Sequence, residues 1–144
     1  MANISIRPYE DRDLEAITAL WDIVFPDDGP RNRAPLAIPQ KQDFQPGLIF
    51  VAEAEGHIVG TTMAGYDGHR GWLYGVAVHP EHQRQGIATE LVNHATSALN
   101  ALGCNKVNLQ VRAGNEAVTA FYESLGFEIE PRVSMGKLIG KQGE

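Results

Sequence analysis

The sequence predicts a single α/β domain over residues 1–144, with helices packed around a mixed central β-sheet. Two patterns carry that expectation. Short segments rich in β-branched and alternating apolar residues recur along the chain: Ile4–Arg7, Leu48–Glu53, His57–Tyr66, Trp72–Val78 and Lys106–Arg112. Between them lie longer stretches whose apolar residues fall at helical spacing. The length of 144 residues, with 43% hydrophobic and 21% charged side chains, suits one domain with a core of its own.

Ile4 and Ile6 alternate with Ser5 and Arg7, which predicts a short first strand, and Pro8 ends it. Leu14, Ile17, Trp21 and Val24 share one helical face, predicting a helix from about Asp11 to Phe25. Pro26-Asp27-Asp28-Gly29-Pro30 breaks it, and the segment to about Gly47 reads as irregular, with room for a short helix. Leu48–Glu53 and His57–Tyr66 read as a hairpin turning at Glu55-Gly56. The Asp67–Gly71 turn leads into the central strand at Trp72.

Pro80 closes that strand, and Ile87, Leu91, Ala95, Ala98, Leu99 and Leu102 then mark a long helix ending near Gly103. Val107, Leu109 and Val111 put one face of a strand over Lys106–Arg112. Asn115 is placed to cap a helix carrying Val118, Phe121, Tyr122 and Leu125, which Gly126 ends. Phe127–Glu130 and Val133–Leu138 read as two closing strands. The expected order is therefore β-α-α-β-β-β-α-β-α-β-β.

A net charge of −6 and a pI near 5.3 argue against a nucleic-acid partner. The single cysteine, Cys104, rules out an internal disulfide and a cysteine-based metal cluster, and reads as a small buried hydrophobe. Residues Met1–Arg7 carry no long apolar core of the signal-peptide kind. No run approaches the ~20 apolar residues of a membrane span, so a cytoplasmic protein without a membrane partner is expected.

The stretch Gly75–Thr89 organises the rest. A strand stops at Pro80, Gly86 gives the backbone room, and a helix begins near residue 87. The first N–H groups of that helix lack intrahelical acceptors and, with the helix dipole, favour an anion beside Arg84. The string Gly-x-x-x-x-Gly-Lys-Ser/Thr of a Walker loop is absent, and a three-glycine dinucleotide fingerprint does not fit. Gln83-x-x-Gly86-x-Ala88, after Val76-Ala77-Val78, instead resembles the acyl-CoA loop of the GNAT superfamily of N-acetyltransferases. A second block, Asn115-x-x-Val118-x-x-x-Tyr122-x-x-x-Gly126-Phe127, resembles that family's Asn-x-x-Ala-x-x-x-Tyr-x-x-x-Gly-Phe, with valine at the alanine position.

The resemblance covers nearly the whole element order and implies a GNAT-type fold using acetyl-CoA as co-substrate, with no metal. It implies that backbone groups of Val76, Ala77 and Val78 hold the pantetheine arm, that Arg84, Gln85, Gly86, Ile87, Ala88 and Thr89 wrap the phosphates, and that Asn115 lies on the pantetheine side. It also implies that Tyr122 is the acid meeting the leaving thiolate; read alone, Tyr122 is a core aromatic.

Acetyl transfer to an amine further needs a deprotonated nucleophile and a donor for the oxyanion, for which N–H groups near Val76 and Ala77 are candidates. Some N-terminal acetyltransferases carry a glutamate five residues before the asparagine. Here that residue is Gln110, which cannot take a proton. Tyr74, Asp67, His69 and His79 remain open as bases, as does the absence of a dedicated one.

The acceptor is a small-molecule amine or a protein or peptide amine, with Asp27–Gln45 on its side. The charges of that segment offset one another, and it reads as a solvated loop. A CoA-binding sensor without catalysis and an interaction module using a sheet edge stay as alternatives. A homodimer is expected by resemblance alone.

Overall fold

The structure, a computed structural model, describes residues 3–140. Strands β1 (Ile4–Pro8), β2 (Ile49–Ala54), β3 (His57–Tyr66), β4 (Gly71–Val78) and β5 (Val107–Leu109) form one sheet in that order. The β1 to β4 neighbours are antiparallel, and β5 joins β4 in parallel. Helix α3 (Ile87–Ala101) makes the crossover that a parallel pair requires. Helices α1 (Leu14–Val24), α2 (Ala34–Phe44) and α4 (Glu116–Ser124) complete the expected β-α-α-β-β-β-α-β-α order.

The two faces of the sheet make two cores. Ile87, Leu91, Val92, Ala95 and Leu99 of α3 pack on Phe50, Ala52, Ala64 and Leu73. Ile17, Leu20 and Trp21 of α1 and Ile38 of α2 pack on Ile49, Val51, Met63 and Ala77. Strands β2 and β3 are therefore buried on both faces, which is why they read as apolar runs more than as alternation. Arg7 ties β1 down, reaching both Asp13 carboxylate oxygens at 2.8 and 2.9 Å and Glu53 Oε1 at 2.8 Å.

Three expectations change. The segment before Gly47 is mostly helical: a 3-10 turn at Pro30–Asn32 leads into α2, with Pro35 in its first turn where a missing N–H costs nothing. Strand β5 is only Val107–Leu109, shorter than the predicted Lys106–Arg112. The closing strands at 127–130 and 133–138 do not form. Pro131 gives no N–H for a ladder, and Ile129, Val133, Met135 and Leu138 find no apolar face, being 74%, 88%, 90% and 66% exposed. Among the described residues, side-chain hydrogen bonds link this segment to the β5 region: Glu130 with Lys106 and Asn108, and Ser134 with Gln110. Cys104 is buried as expected.

Candidate active site

Strands β4 and β5 pair only from Gly71↔Val107 to Leu73↔Leu109. Beyond that point they part, and the backbone groups of residues 74–78 that point away from β3 face a cleft. The cleft encloses about 1760 Å³ and is walled by β4, Leu109–Arg112, the start of α3, α4 and the α1–α2 side. Sites for drug-sized ligands are ~300–1,000 Å³, so there is room for a long ligand and a second molecule.

A bulge shapes the β4 wall. Thr61 pairs with Ala77 and Met63 with Tyr74, so β4 carries one extra residue, at Gly75-Val76. Gly75 sits at φ +60°, and a Cβ there would lie 2.9 Å from Trp21 Cζ2. Trp21 Nε1 donates to Thr61 Oγ1 at 2.9 Å, and the Thr61 hydroxyl donates to the Gly75 carbonyl at 2.8 Å. The bulge is thus pinned from the core, and it turns the backbone of the next residues toward the cleft.

At the end of β4, a 3-10 turn (Pro80–His82) leads into the α3 N-terminus. Gln83 Nε2 donates to the Val78 carbonyl at 3.4 Å and closes the loop. Arg84 and Gly86 both have positive φ, +65° and +79°. The first intrahelical bond is Glu90 N–H to the Gly86 carbonyl at 3.1 Å, and no side chain caps the helix. The N–H groups of Ile87, Ala88 and Thr89 therefore have no intrahelical acceptor. Nothing lies within 4 Å of a Cβ built on Gly86, so the space in front of these donors is clear. Arg84 forms no ion pair among the described residues, and it lines the cleft. This end of the cleft is built for an anion.

Tyr122 stands on the α4 wall, 9% exposed, with its ring edge-on to Phe121 and Phe127 at 5.0 and 5.6 Å. Its hydroxyl has no hydrogen-bond partner among the described residues. Burial pushes its pKa up to about 12, so the proton stays on. Asn115 caps α4, accepting from Val118 N–H at 3.3 Å, and lines the same cleft.

Val76, Ala77, Val78, Arg84, Gly86, Ile87, Ala88, Thr89, Asn115 and Tyr122 thus all meet at one cleft; Gln85 does not line it. Of the proposed bases, Tyr74 lines the cleft and is 43% exposed, with its pKa raised by burial. Asp67 is at its rim, but the backbone N–H groups of Arg70 and His69 hold its carboxyl below the ordinary range, which weakens it as a base. His69 and His79 are not brought to the cleft. Gln110 is, as a side chain that cannot titrate.

Sequence reasoning missed Lys41. It is 8% exposed on α2, lines the cleft, and hydrogen-bonds Gln45 Oε1 at 2.8 Å, with no carboxylate paired to it among the described residues. It is hidden where α2 meets the end of β3 at Gly65 and Tyr66, and that segment's proline content concealed the helix.

Known proteins share this fold. The profile of the Acetyltransferase (GNAT) family matches residues 14–127. An acetyltransferase of Pectobacterium atrosepticum is 39% identical over 139 residues, covering 94% of this chain and 96% of that protein. One of Sodalis glossinidius is 39% identical over 142 residues, covering 96% and 95%. Among solved structures, the aminoglycoside N-acetyltransferase AAC(6')-Iy in complex with CoA superimposes with a TM-score of 0.79 at 22% identity, over 96% of both chains. The ribosomal-protein-S18-alanine N-acetyltransferase of Escherichia coli superimposes with a TM-score of 0.72 at 27% identity, over 88% of this chain and 78% of that one. With both sequence blocks lining one cleft and the family profile spanning most of the fold, this chain belongs to the GNAT family of acetyltransferases.

Proposed function

We propose that the chain transfers the acetyl group of acetyl-CoA directly to the nitrogen of a primary amine. The observation that carries this reading is the cleft itself: an uncapped helix N-terminus at one end, unpaired strand backbone along one wall, and a protonated tyrosine on the other. The residues present fit the cofactor. The clear space before Gly86 and the N–H groups of residues 87–89, with Arg84, suit a pyrophosphate. The backbone of Val76 and Val78, left without β5 as partner, suits the peptide-like pantetheine arm. The CoA bound in AAC(6')-Iy supports the assignment.

Bound acetyl-CoA supplies an acyl carbonyl open to attack and a sulfur leaving group. The bulge at Gly75-Val76 offers backbone N–H donors that can stabilise charge on that carbonyl oxygen. Tyr122 donates a hydrogen bond to the sulfur as charge builds there. Burial holds the Tyr122 proton on well above the ~8.5 at which an ordinary thiol titrates, so giving it up outright is uphill. The hydroxyl therefore acts as a relay: it hands a proton on only as it takes one from the acceptor nitrogen.

The test is mass-spectrometric detection of N-acetylated products from an amine panel with acetyl-CoA, wild type against Tyr122→Phe. Wild type should form product and Tyr122→Phe should form at least ~100-fold less. Equal product from both would remove Tyr122 from this role, and no product from any amine would sink the reading.

A further inference from the structure

Gly65 lies near the end of β3, opposite Trp72 of β4. A Cβ built on it would sit 3.4 Å from Tyr74 Oη and 3.6 Å from Lys41 Nζ. The missing side chain therefore leaves a niche with two donors at its sides, an ammonium and a phenol, all within the same cleft. The φ of Gly65 is not positive, so the glycine is there for space and not for backbone shape.

Lys41 is held, not floating. Gln45 Nε2 donates to the Tyr66 carbonyl at 3.1 Å, and Gln45 Oε1 accepts from Tyr66 N–H at 3.2 Å. The same oxygen takes Lys41 Nζ at 2.8 Å. One ammonium donor is thus spent on a neutral amide and two remain. No carboxylate pairs with this ammonium among the described residues, although it is 8% exposed. A buried ammonium without a counter-charge costs stability, and this one lines the cleft. Burial has already lowered its pKa to about 8, which still leaves it mostly charged at neutral pH. The Tyr74 hydroxyl has no hydrogen-bond partner among the described residues and can donate as well.

We propose that this niche binds a carboxylate on the acceptor, so that the amine acetylated belongs to a molecule that also carries an acid group. The proposal rests on the amine-transfer reading above. The position suits it: Tyr74 precedes Val78 by four residues, about 13 Å of strand, so the niche lies at the far end of the cleft wall from the anion site. A carboxylate fits better than a phosphate. One cation faces the niche, while Asp27 and Asp67 line the same cleft and would repel a second negative charge; the third carboxylate there, Asp28, is paired with Arg112 at 2.8 Å.

The experiment pairs amino acids and ω-amino acids with their own carboxamides as acceptors at saturating acetyl-CoA. Wild type should favour each acid over its amide at least ~10-fold in kcat/KM. Lys41→Met should raise KM for the acids ~10–100-fold, the size of a hydrogen bond to a charged group, and leave the amides and the acetyl-CoA KM unchanged. Gly65→Ala should do the same by filling the niche, and Lys41→Arg should keep part of the preference. Lys41→Met should also melt at or above the wild-type temperature, since it removes an unpaired buried charge; a merely structural lysine predicts the reverse.

Equal use of acid and amide by wild type, a preference that survives Lys41→Met, or a loss shared by acid and amide would each overturn the niche. Binding is read separately by melting the CoA-loaded protein with N-acetylated acids and with their amides. A shift from the acids alone, lost in Lys41→Met, supports the niche even if no amine is acetylated, in which case the amine-transfer reading falls by itself. Equal shifts from acids and amides, or none, overturn the niche.

Discussion

Gly75 and Gly86 both hold positive φ, and the same change to alanine should harm them in opposite ways. At either position an L-residue in the left-handed region costs ~1–2 kcal/mol. At Gly86 that is the whole cost, because nothing lies within 4 Å of the added Cβ. At Gly75 the Cβ meets Trp21 Cζ2 at 2.9 Å, Trp21 Cη2 at 3.2 Å and Met63 Sδ at 3.3 Å. The indole is fixed by its bond to Thr61 and cannot step aside, so overpacking adds ~1–3 kcal/mol. Equilibrium urea unfolding should therefore give a loss of ~1–2 kcal/mol for Gly86→Ala and ~2–5 kcal/mol for Gly75→Ala, with m unchanged. Acetyl-CoA affinity should rank the other way for Gly86→Ala, whose methyl group enters the space before the α3 donors; a loss of at least ~10-fold, ~1.4 kcal/mol, is expected. Equal stability losses would refute the pinned bulge. Wild-type acetyl-CoA affinity in Gly86→Ala would refute the anion site.

Further outcomes follow from single residues. Tyr122→Phe should lower kcat ~100-fold or more while its acetyl-CoA dissociation constant, measured by calorimetry, stays within about two-fold of wild type. Because burial pushes the Tyr122 pKa up to about 12, the pH profile of kcat/KM should rise as the amine loses its proton and show no fall from tyrosine ionisation below about pH 10; a fall there would mean an exposed phenol. Asp13→Asn should cost ~2–3 kcal/mol in urea unfolding, since it removes the charge and one of the two acceptor oxygens that hold Arg7. Arg7 holds the Asp13 carboxyl below its ordinary value. Its contribution is therefore complete above the unfolded carboxyl pKa of ~3.9 and is lost as pH falls below that, so the wild-type and Asp13→Asn stabilities should converge in acid.

Much of the site was legible because its parts are local. The apolar stripe from Ile87 to Leu102, the glycine before it and the proline after β4 fix a strand, a turn and a helix N-terminus within one stretch. Capping and helical spacing put Asn115 and Tyr122 on one helix, but their place in the site came from the resemblance to the GNAT block; spacing alone makes Tyr122 a core aromatic. What failed needed tertiary knowledge. Val133 and Met135 alternate with Arg132, Ser134 and Gly136 like a strand, yet alternation makes a strand only where a ladder and a burying face exist, and among the described residues side-chain hydrogen bonds alone tie this segment to the β5 region. Lys41 read as one charge among several in a proline-rich segment. Its burial comes from α2 packing beside β3, which no local pattern announces. Gly75 read as an ordinary strand residue, because its bulge is dictated by Trp21 from a helix 54 positions away in the chain (75 less 21).

The most direct test of the central claim, that the cleft between β4 and β5 is an acetyl-CoA site, is melting of the purified protein with acetyl-CoA, CoA, NAD and ATP in parallel. At about 100 times its dissociation constant a ligand stabilises the native state by ~2.7 kcal/mol, a shift of roughly 5–10 °C for a domain of this size. Shifts with acetyl-CoA and CoA, and none of that size with NAD or ATP, are predicted. No shift with either CoA species would contradict the account.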